Sequence, residues 1–293
     1  MKRLLALAAG AAVATTLMRR KQPDVAQYFR NRACVVTGGG SGIGLEIVTQ
    51  LMQCGARVLA VDVDAARLVA LRERWPNICT LQLDLTVDDA PHQLVAAAQR
   101  DLGGIQTIFN NAGYAVAGPF LENSETHIRR TIELNYTAHV RMTSVVLPLL
   151  IAAGGGDINF TVSLSAWVGA PTLAVYSGTK AALKNFIYAL GRETSQTGVR
   201  ISGLHPNVVR TNLMPGDVFD RVDMKYGVTE TVAALLRGVT LGQRDIFVNA
   251  EDRVLQRIEQ IAPSFIDWYF STRSDAKSIM QQGQAIENKE HRA

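Results

Sequence analysis

Chemistry that depends on soft ligands or disulfides finds little to work with in this chain. It holds three cysteines, Cys34, Cys54 and Cys79, an odd number with no Cys-x-x-Cys pair. That excludes a disulfide scaffold and fits a reducing compartment. Each cysteine lies in or beside an apolar run and reads as a buried, inert thiol. The histidines at 92, 127, 139, 205 and 291 form neither a His-x-x-x-His nor a Cys/His ligand pattern, so no protein-bound metal is expected. Internal repeats and low-complexity linkers are absent as well, and 293 residues are within the reach of one α/β domain.

Excess charge is confined to one end. The net charge of +4 comes from the first 32 residues, where Lys2, Arg3, Arg19, Arg20, Lys21, Arg30 and Arg32 face Asp24 alone. The rest of the chain carries 23 basic and 25 acidic residues, so a nucleic-acid partner lacks its electrostatic basis. Within this basic end, Leu4–Met18 is an uncharged Ala/Leu-rich stretch. As a helix it would reach about 22 Å, short of a roughly 30 Å hydrocarbon core. Residues 1–21 read either as a membrane anchor with snorkelling Arg and Lys or as a cleavable signal.

From residue 33 onward, short β-branched runs alternate with helical periodicity. Strands are expected at Ala33–Thr37, Arg57–Val61, Ile78–Leu83, Ile105–Asn110, Ile158–Ser163, Val199–Leu204 and Asp245–Val248. Helices are expected near 42–54, 65–75, 87–102, 124–153, 174–197 and 229–241. Apolar strands each followed by a helix imply an α/β fold, a mostly parallel seven-stranded sheet covered on both faces. Right-handed crossovers make it doubly wound. The reading is one domain over 33–250, preceded by the hydrophobic segment 1–21 and followed by a helical extension, 251–293.

The first strand runs straight into Thr37-Gly38-Gly39-Gly40-Ser41-Gly42-Ile43-Gly44, and a helix follows. Glycines here let the backbone turn sharply and approach a pyrophosphate set against the helix N-terminus. The spacing is Gly38-x-x-x-Gly42-x-Gly44 rather than Gly-x-Gly-x-x-Gly. Asp62 ends the second strand, 24 residues beyond Gly38. A carboxylate there accepts hydrogen bonds from the adenosine ribose diol and repels a 2′-phosphate. No Arg or Lys follows it before Arg67, so NAD is expected over NADP; the alternative for Asp62 is a plain turn aspartate.

Further along come Asn110-Asn111-Ala112-Gly113, Ser163 and Tyr176-x-x-x-Lys180. With the glycine loop, these motifs, in this order, resemble a classical short-chain dehydrogenase/reductase over residues 33–250. The resemblance implies a single Rossmann-type domain that binds NAD(H). It places Thr37, Gly38, Ser41, Gly42, Ile43, Gly44, Asp62, Asp84, Leu85, Asn111, Ala112, Gly113, Pro206, Val209 and Thr211 on the cofactor. Tyr176 and Lys180 also border the cofactor, Lys180 through the nicotinamide ribose. Asn135, in the helix Thr131–Ala138, corresponds to the family's active-site asparagine, which positions a water for proton relay. A homo-oligomer paired through the helices that precede and contain Tyr176 is a further implication.

The chemistry follows from the residues themselves. Tyr176 and Lys180 are four apart and share a helix face. A neighbouring ammonium is expected to lower the phenol's pKa from near 10 towards its working range. Tyr176 then exchanges the proton of a substrate hydroxyl, and Ser163 steadies charge on that oxygen. Ser165, two residues on, is the rival serine on the same strand face. Where the family usually carries Pro-Gly after the sixth strand, this chain has Pro206-Asn207; asparagine tolerates the left-handed backbone angles of such a turn.

Residues 212–226, with Met214, Pro215, Phe219 and Met224, form an expected substrate lid. Together with the N-terminal segment and the apolar cluster Phe265-Ile266-Asp267-Trp268-Tyr269-Phe270, they point to a lipophilic sterol-, retinoid- or long-chain-type alcohol or ketone. The cluster's other reading is closure of the core or of a subunit interface. Export would part the protein from its dinucleotide pool, so a retained anchor with the catalytic body on the cytoplasmic side is expected, a soluble cytoplasmic protein being the alternative. The rival functions are an NADPH-linked carbonyl reductase and a dinucleotide-binding sensor or scaffold without turnover.

Overall fold

A computed structural model describes residues 24–209 and 227–272. Its strands are β1 (Ala33–Thr37), β2 (Arg57–Asp62), β3 (Cys79–Gln82), β4 (Thr107–Asn110), β5 (Gly156–Thr161), β6 (Val199–Leu204) and β7 (Asp245–Ile246). They form one sheet in the order β3-β2-β1-β4-β5-β6-β7. Every pairing is parallel, so the sheet is parallel throughout. Helices α1 (Val25–Phe29), α2 (Gly42–Gln53), α3 (Ala65–Arg74), α4 (Ala90–Leu102), α5 (Glu125–Ile132), α6 (Ala138–Ala152), α7 (Ala174–Glu193), α8 (Val228–Thr240), α9 (Ala250–Ile261) and α10 (Pro263–Thr272) complete the described chain.

Strand periodicity divides the core between the two faces. Ala33 and Val35 join Leu94, Met142, Val146 and Ile187 on the side of α4, α6 and α7. Cys34 and Val36 point the other way, into a cluster with Ile47, Leu51, Leu68 and Leu235 from α2, α3 and α8. Each such aliphatic side chain gains about 1.5–3 kcal/mol from burial, and this apolar drive on both faces holds the helices to the sheet. At the lower rim, the carboxylate of buried Asp157 accepts from Tyr28 at 2.6 Å, Arg32 at 2.8 Å and Arg200 at 2.7 Å. That cluster ties α1 to the sheet at the edge opposite the glycine loop.

Several expected boundaries move. β5 begins at Gly156 and ends at Thr161, so Ser163 and Ser165 lie beyond the strand, with Ser163 capping a 3-10 turn, Leu164–Ala166. The stretch 124–153 is not one helix: a π turn, Glu133–Thr137, separates α5 from α6. Helix α4 starts at Ala90 because Pro91 suits the first turn. β3, β4 and β7 are each shorter than expected. Cys34 is buried, its thiol pushed up to about 12 by burial, whereas Cys54 and Cys79 are half-buried. Residues 1–21, the segment 212–226, Thr211 and the chain beyond 272 lie outside the described residues. Among the described residues, no helix is long and apolar enough to cross a membrane.

Candidate active site

The site sits where the sheet order reverses, between the C-terminal ends of β1 and β4. Gly38 adopts φ +63°, and a Cβ there would stand 2.9 Å from the Ala112 Cα. A Cβ on Gly44 would fall 1.9 Å from the Gly38 carbonyl oxygen and 2.6 Å from Asn111 Nδ2. The loop therefore folds back on itself so tightly at Gly38 and Gly44 that only glycine fits, directly at the N-terminus of α2. This cradle, closed to side chains, suits a pyrophosphate. Gly44→Ala is expected to cost at least about 2 kcal/mol of stability and to abolish measurable dinucleotide binding, read by thermal unfolding and calorimetry; retained binding would contradict the cradle.

Thr37 and Asn111 staple the loop to its neighbours. Thr37 Oγ1 accepts from the amides of Asn111 and Ala112 at 2.9 and 3.1 Å. Asn111 Nδ2 donates to the Thr37 carbonyl at 3.1 Å, and its Oδ1 accepts from Thr161 at 2.9 Å. Together they bind the ends of β1, β4 and β5.

Asp62 is buried at the rim of the loop. Its Oδ2 accepts from the Gly40 amide at 2.8 Å and its Oδ1 from the Asp64 amide at 3.0 Å. It thus shapes the turn at the rim of the glycine loop. The first base after Asp62 in the sequence, Arg67, bears on the same rim. The first turn of α3 carries Arg67 back over the loop, where its Nη1 donates to Ser41 Oγ at 3.2 Å and its Nε pairs with Asp64 at 3.1 Å. Asp84 engages Thr86 at 2.9 Å, and Leu85 is buried beside it.

Ser163, Tyr176, Lys180 and Asn135 come together on the α6/α7 side of this crevice. Asn135, fully buried, exchanges hydrogen bonds with the Tyr114 backbone, 2.8 Å in each direction, and reaches Thr179 at 3.4 Å. The π turn aims it there, a common device at functional sites. Lys180 is 2% exposed, with Nζ donating to the Thr161 carbonyl at 2.8 Å and lying 5.5 Å from the Tyr176 ring centre. Burial lowers the Lys180 pKa to about 7.

Burial likewise raises the Tyr176 pKa to about 12, with the Ser163 hydroxyl partly opposing the shift. The expected lowering is not seen in this state: removal from water dominates, and the Ser163 hydroxyl is the group that opposes it. Ser163 Oγ also accepts from the Ser165 amide at 3.1 Å. Ser165 turns into the protein, so Ser163 is the serine that faces the phenol.

Three further side chains escaped the sequence reading. His139, one turn beyond Asn135, donates from Nε2 to the Ala112 carbonyl at 2.9 Å. Burial, with Lys180 nearby, pushes its pKa down to about 3, so it stays neutral and pins the Asn111–Gly113 segment. Trp167 donates to His205 Nδ1 at 3.0 Å, which obliges His205 Nε2 to donate to Asp245 at 3.0 Å. This chain fixes the turn after Ser163 against the residue before Pro206. The four-residue spacing from Asn135 could have flagged His139; nothing local marks Trp167 or His205.

The family described as short chain dehydrogenase matches residues 32–219. The chain belongs to the short-chain dehydrogenase family. It is an oxidoreductase, of a family that uses NAD or NADP. D-erythrulose reductase from Gallus gallus is 33% identical over 235 residues, covering 80% of this chain and 88% of the relative. L-fucose dehydrogenase from Bos taurus is 33% identical over 186 residues, 63% of this chain and 68% of its own. Among solved structures, a short-chain dehydrogenase/reductase from Burkholderia phymatum in complex with NAD superposes with a TM-score of 0.73 at 19% identity. It spans 81% of this chain and 95% of that one, a likeness of fold.

Proposed function

We propose that this short-chain dehydrogenase transfers a hydride between NAD(H) and a lipophilic secondary alcohol or ketone, with Tyr176 as general acid/base. The observation that carries the reading is the convergence of Ser163, Tyr176 and Lys180 beside a glycine cradle that no Cβ could share. A bound nicotinamide supplies or accepts the hydride; the chain's own groups manage the oxygen and its proton. A phenol held up to about 12 keeps its proton at neutral pH and donates it to a carbonyl oxygen as charge builds there. Ser163 donates to the same oxygen. Lys180 orients the ribose and, with Asn135, leads the proton outward. Thr37, Gly38, Ser41, Gly42, Ile43, Gly44, Asp84, Leu85, Asn111, Ala112, Gly113, Pro206, Val209 and Thr211 would line the dinucleotide.

Asp62 supports NAD, since its carboxylate sits beside the loop where a 2′-phosphate would be repelled. Arg67 supports the second reading, NADPH-linked carbonyl reduction, because its guanidinium reaches Ser41 on the same rim. Asp62→Ala is expected to raise the NADP/NAD preference by about tenfold or more, measured as the ratio of dissociation constants. An unchanged ratio would remove Asp62 from the ribose.

Lipophilic substrates are supported by exposed Ile261, Phe265, Trp268 and Tyr269 on the C-terminal helices, where Ile266 alone of the aromatic-rich cluster is buried. Such a stripe suits a lipid surface near the site, as does residue pattern 1–21 as an anchor with the catalytic domain, 33–250, on the cytoplasmic side. Relatives named for erythrulose and fucose favour a polar polyol instead. A graded series from sugars to steroid alcohols, assayed with NAD⁺ by dihydronicotinamide absorbance, separates the two; turnover of sugars alone would defeat the lipophilic reading. Leu149 and Ile151, exposed on α6, support pairing of copies through α6 and α7.

A further inference from the structure

The loop after β6 departs from the family pattern at Asn207, and the structure shows what that side chain does. Its backbone is not left-handed: among the described non-glycine residues, positive φ occurs only at Asn31 and Thr172. Tolerance of an unusual turn therefore does not explain the asparagine. Instead, Asn207 Nδ2 donates to Asp252 Oδ1 at 2.9 Å, across 45 positions of sequence. Its Oδ1 accepts from the Val208 amide at 2.8 Å. Asp252 is 1% exposed in the first turn of α9, and its own amide is held at 2.7 Å by the N-cap Asn249. A glycine at 207 could form neither side-chain bond.

The other side of this loop is fixed to the catalytic turn. The Pro206 carbonyl accepts from the Leu164 amide, next to Ser163, at 2.8 Å. His205, immediately before Pro206, is gripped between Trp167 and Asp245 and stacks on Phe247 at 5.0 Å. A part-buried amide–carboxylate bond thus joins α9 to a segment that is also bonded to the Ser163 turn.

We propose that Asn207 is a positioning residue that latches the C-terminal extension to the nicotinamide-side loop, making α9 part of the cofactor site. The inference rests on the dinucleotide reading above. Amide and carboxylate can be exchanged without changing the number of charges, which gives the test its control. In the full-length protein, Asn207→Asp sets a second carboxylate against Asp252 and is expected to weaken NADH binding at least about tenfold. The exchanged pair N207D/D252N restores a donor opposite an acceptor and is expected to recover affinity to within about threefold.

Calorimetric titration of NADH, with NADPH alongside, reads these constants, and thermal unfolding without cofactor is measured in parallel. NADH affinity unchanged in Asn207→Asp, whatever its thermal midpoint, would overturn the latch. So would a double variant that binds no better than the single one. Should Asn207→Asp fail to fold, Asn207→Gly deletes the bond without adding charge: weakened binding supports the latch and unchanged binding overturns it. If the unaltered chain bound neither dinucleotide, the cofactor reading would fail and the latch with it.

Discussion

Tyr176→Phe is expected to lower turnover by about 10²–10⁴-fold, the usual range for a lost general acid or base, with dinucleotide affinity almost unchanged. The substitution removes one hydroxyl and keeps the ring, so the packing of α7 against the π turn survives. What disappears is the phenol that bonds the Ser163 hydroxyl. Because burial raises this group to about 12, its proton is present throughout the neutral range. Ketone reduction should therefore show no gain as pH rises, whereas alcohol oxidation, which needs the deprotonated phenol, should accelerate towards alkaline pH. Steady-state rates in both directions, with calorimetry of the variant, check this. Wild-type rates in Tyr176→Phe would remove the phenol from proton transfer.

Lys180→Met is expected to abolish activity and yet stabilise the protein without cofactor. Lys180 has an ordinary pKa of 10.5, lowered to about 7 by burial. Between those values the unfolded chain binds a proton that the folded chain does not, so the lysine opposes folding at pH 7, and stability from this group rises as pH climbs towards 10.5. Methionine fills the same volume without that cost. It also loses the bond to the Thr161 carbonyl, worth about 1–3 kcal/mol. The desolvation cost is the larger, so a melting midpoint above that of the wild type is expected at pH 7. The gain should shrink as pH approaches 10.5. A lower midpoint than wild type at pH 7 would mean that the lysine is a structural residue held in a favourable charged state. A buried cation that weakens its own fold is instead the mark of a group kept for chemistry.

The doubly wound sheet was legible because its strands are apolar on both faces and each is punctuated by helical periodicity. β1 and β6 begin and end where the pattern places them. The glycine loop, Asn111, Ser163, Tyr176 and Lys180 could be picked out as candidates because dinucleotide binding and proton transfer call for fixed residue types at fixed intervals. The π turn was not legible, since helical periodicity runs through 124–153 without a break. The extra residue is accommodated there as Asn135 meets the Tyr114 backbone, a tertiary contact no local pattern encodes. Arg67 was legible only as the first base after Asp62; that the first turn of α3 carries its guanidinium back to Ser41 is likewise a tertiary contact outside any local pattern. Asn207 stands out in the sequence as a departure from Pro-Gly, but what it does is set by Asp252, which lies beyond β7, and not by backbone tolerance.

The decisive measurement is a paired calorimetric titration of NADH and NADPH into the full-length protein, which requires no knowledge of the substrate. Binding of NADH at least about tenfold tighter than NADPH is expected from the carboxylate at the rim of the glycine loop. Tighter binding of NADPH would assign the rim to Arg67 and make the protein an NADPH-linked reductase. Binding of neither would contradict a nicotinamide oxidoreductase altogether.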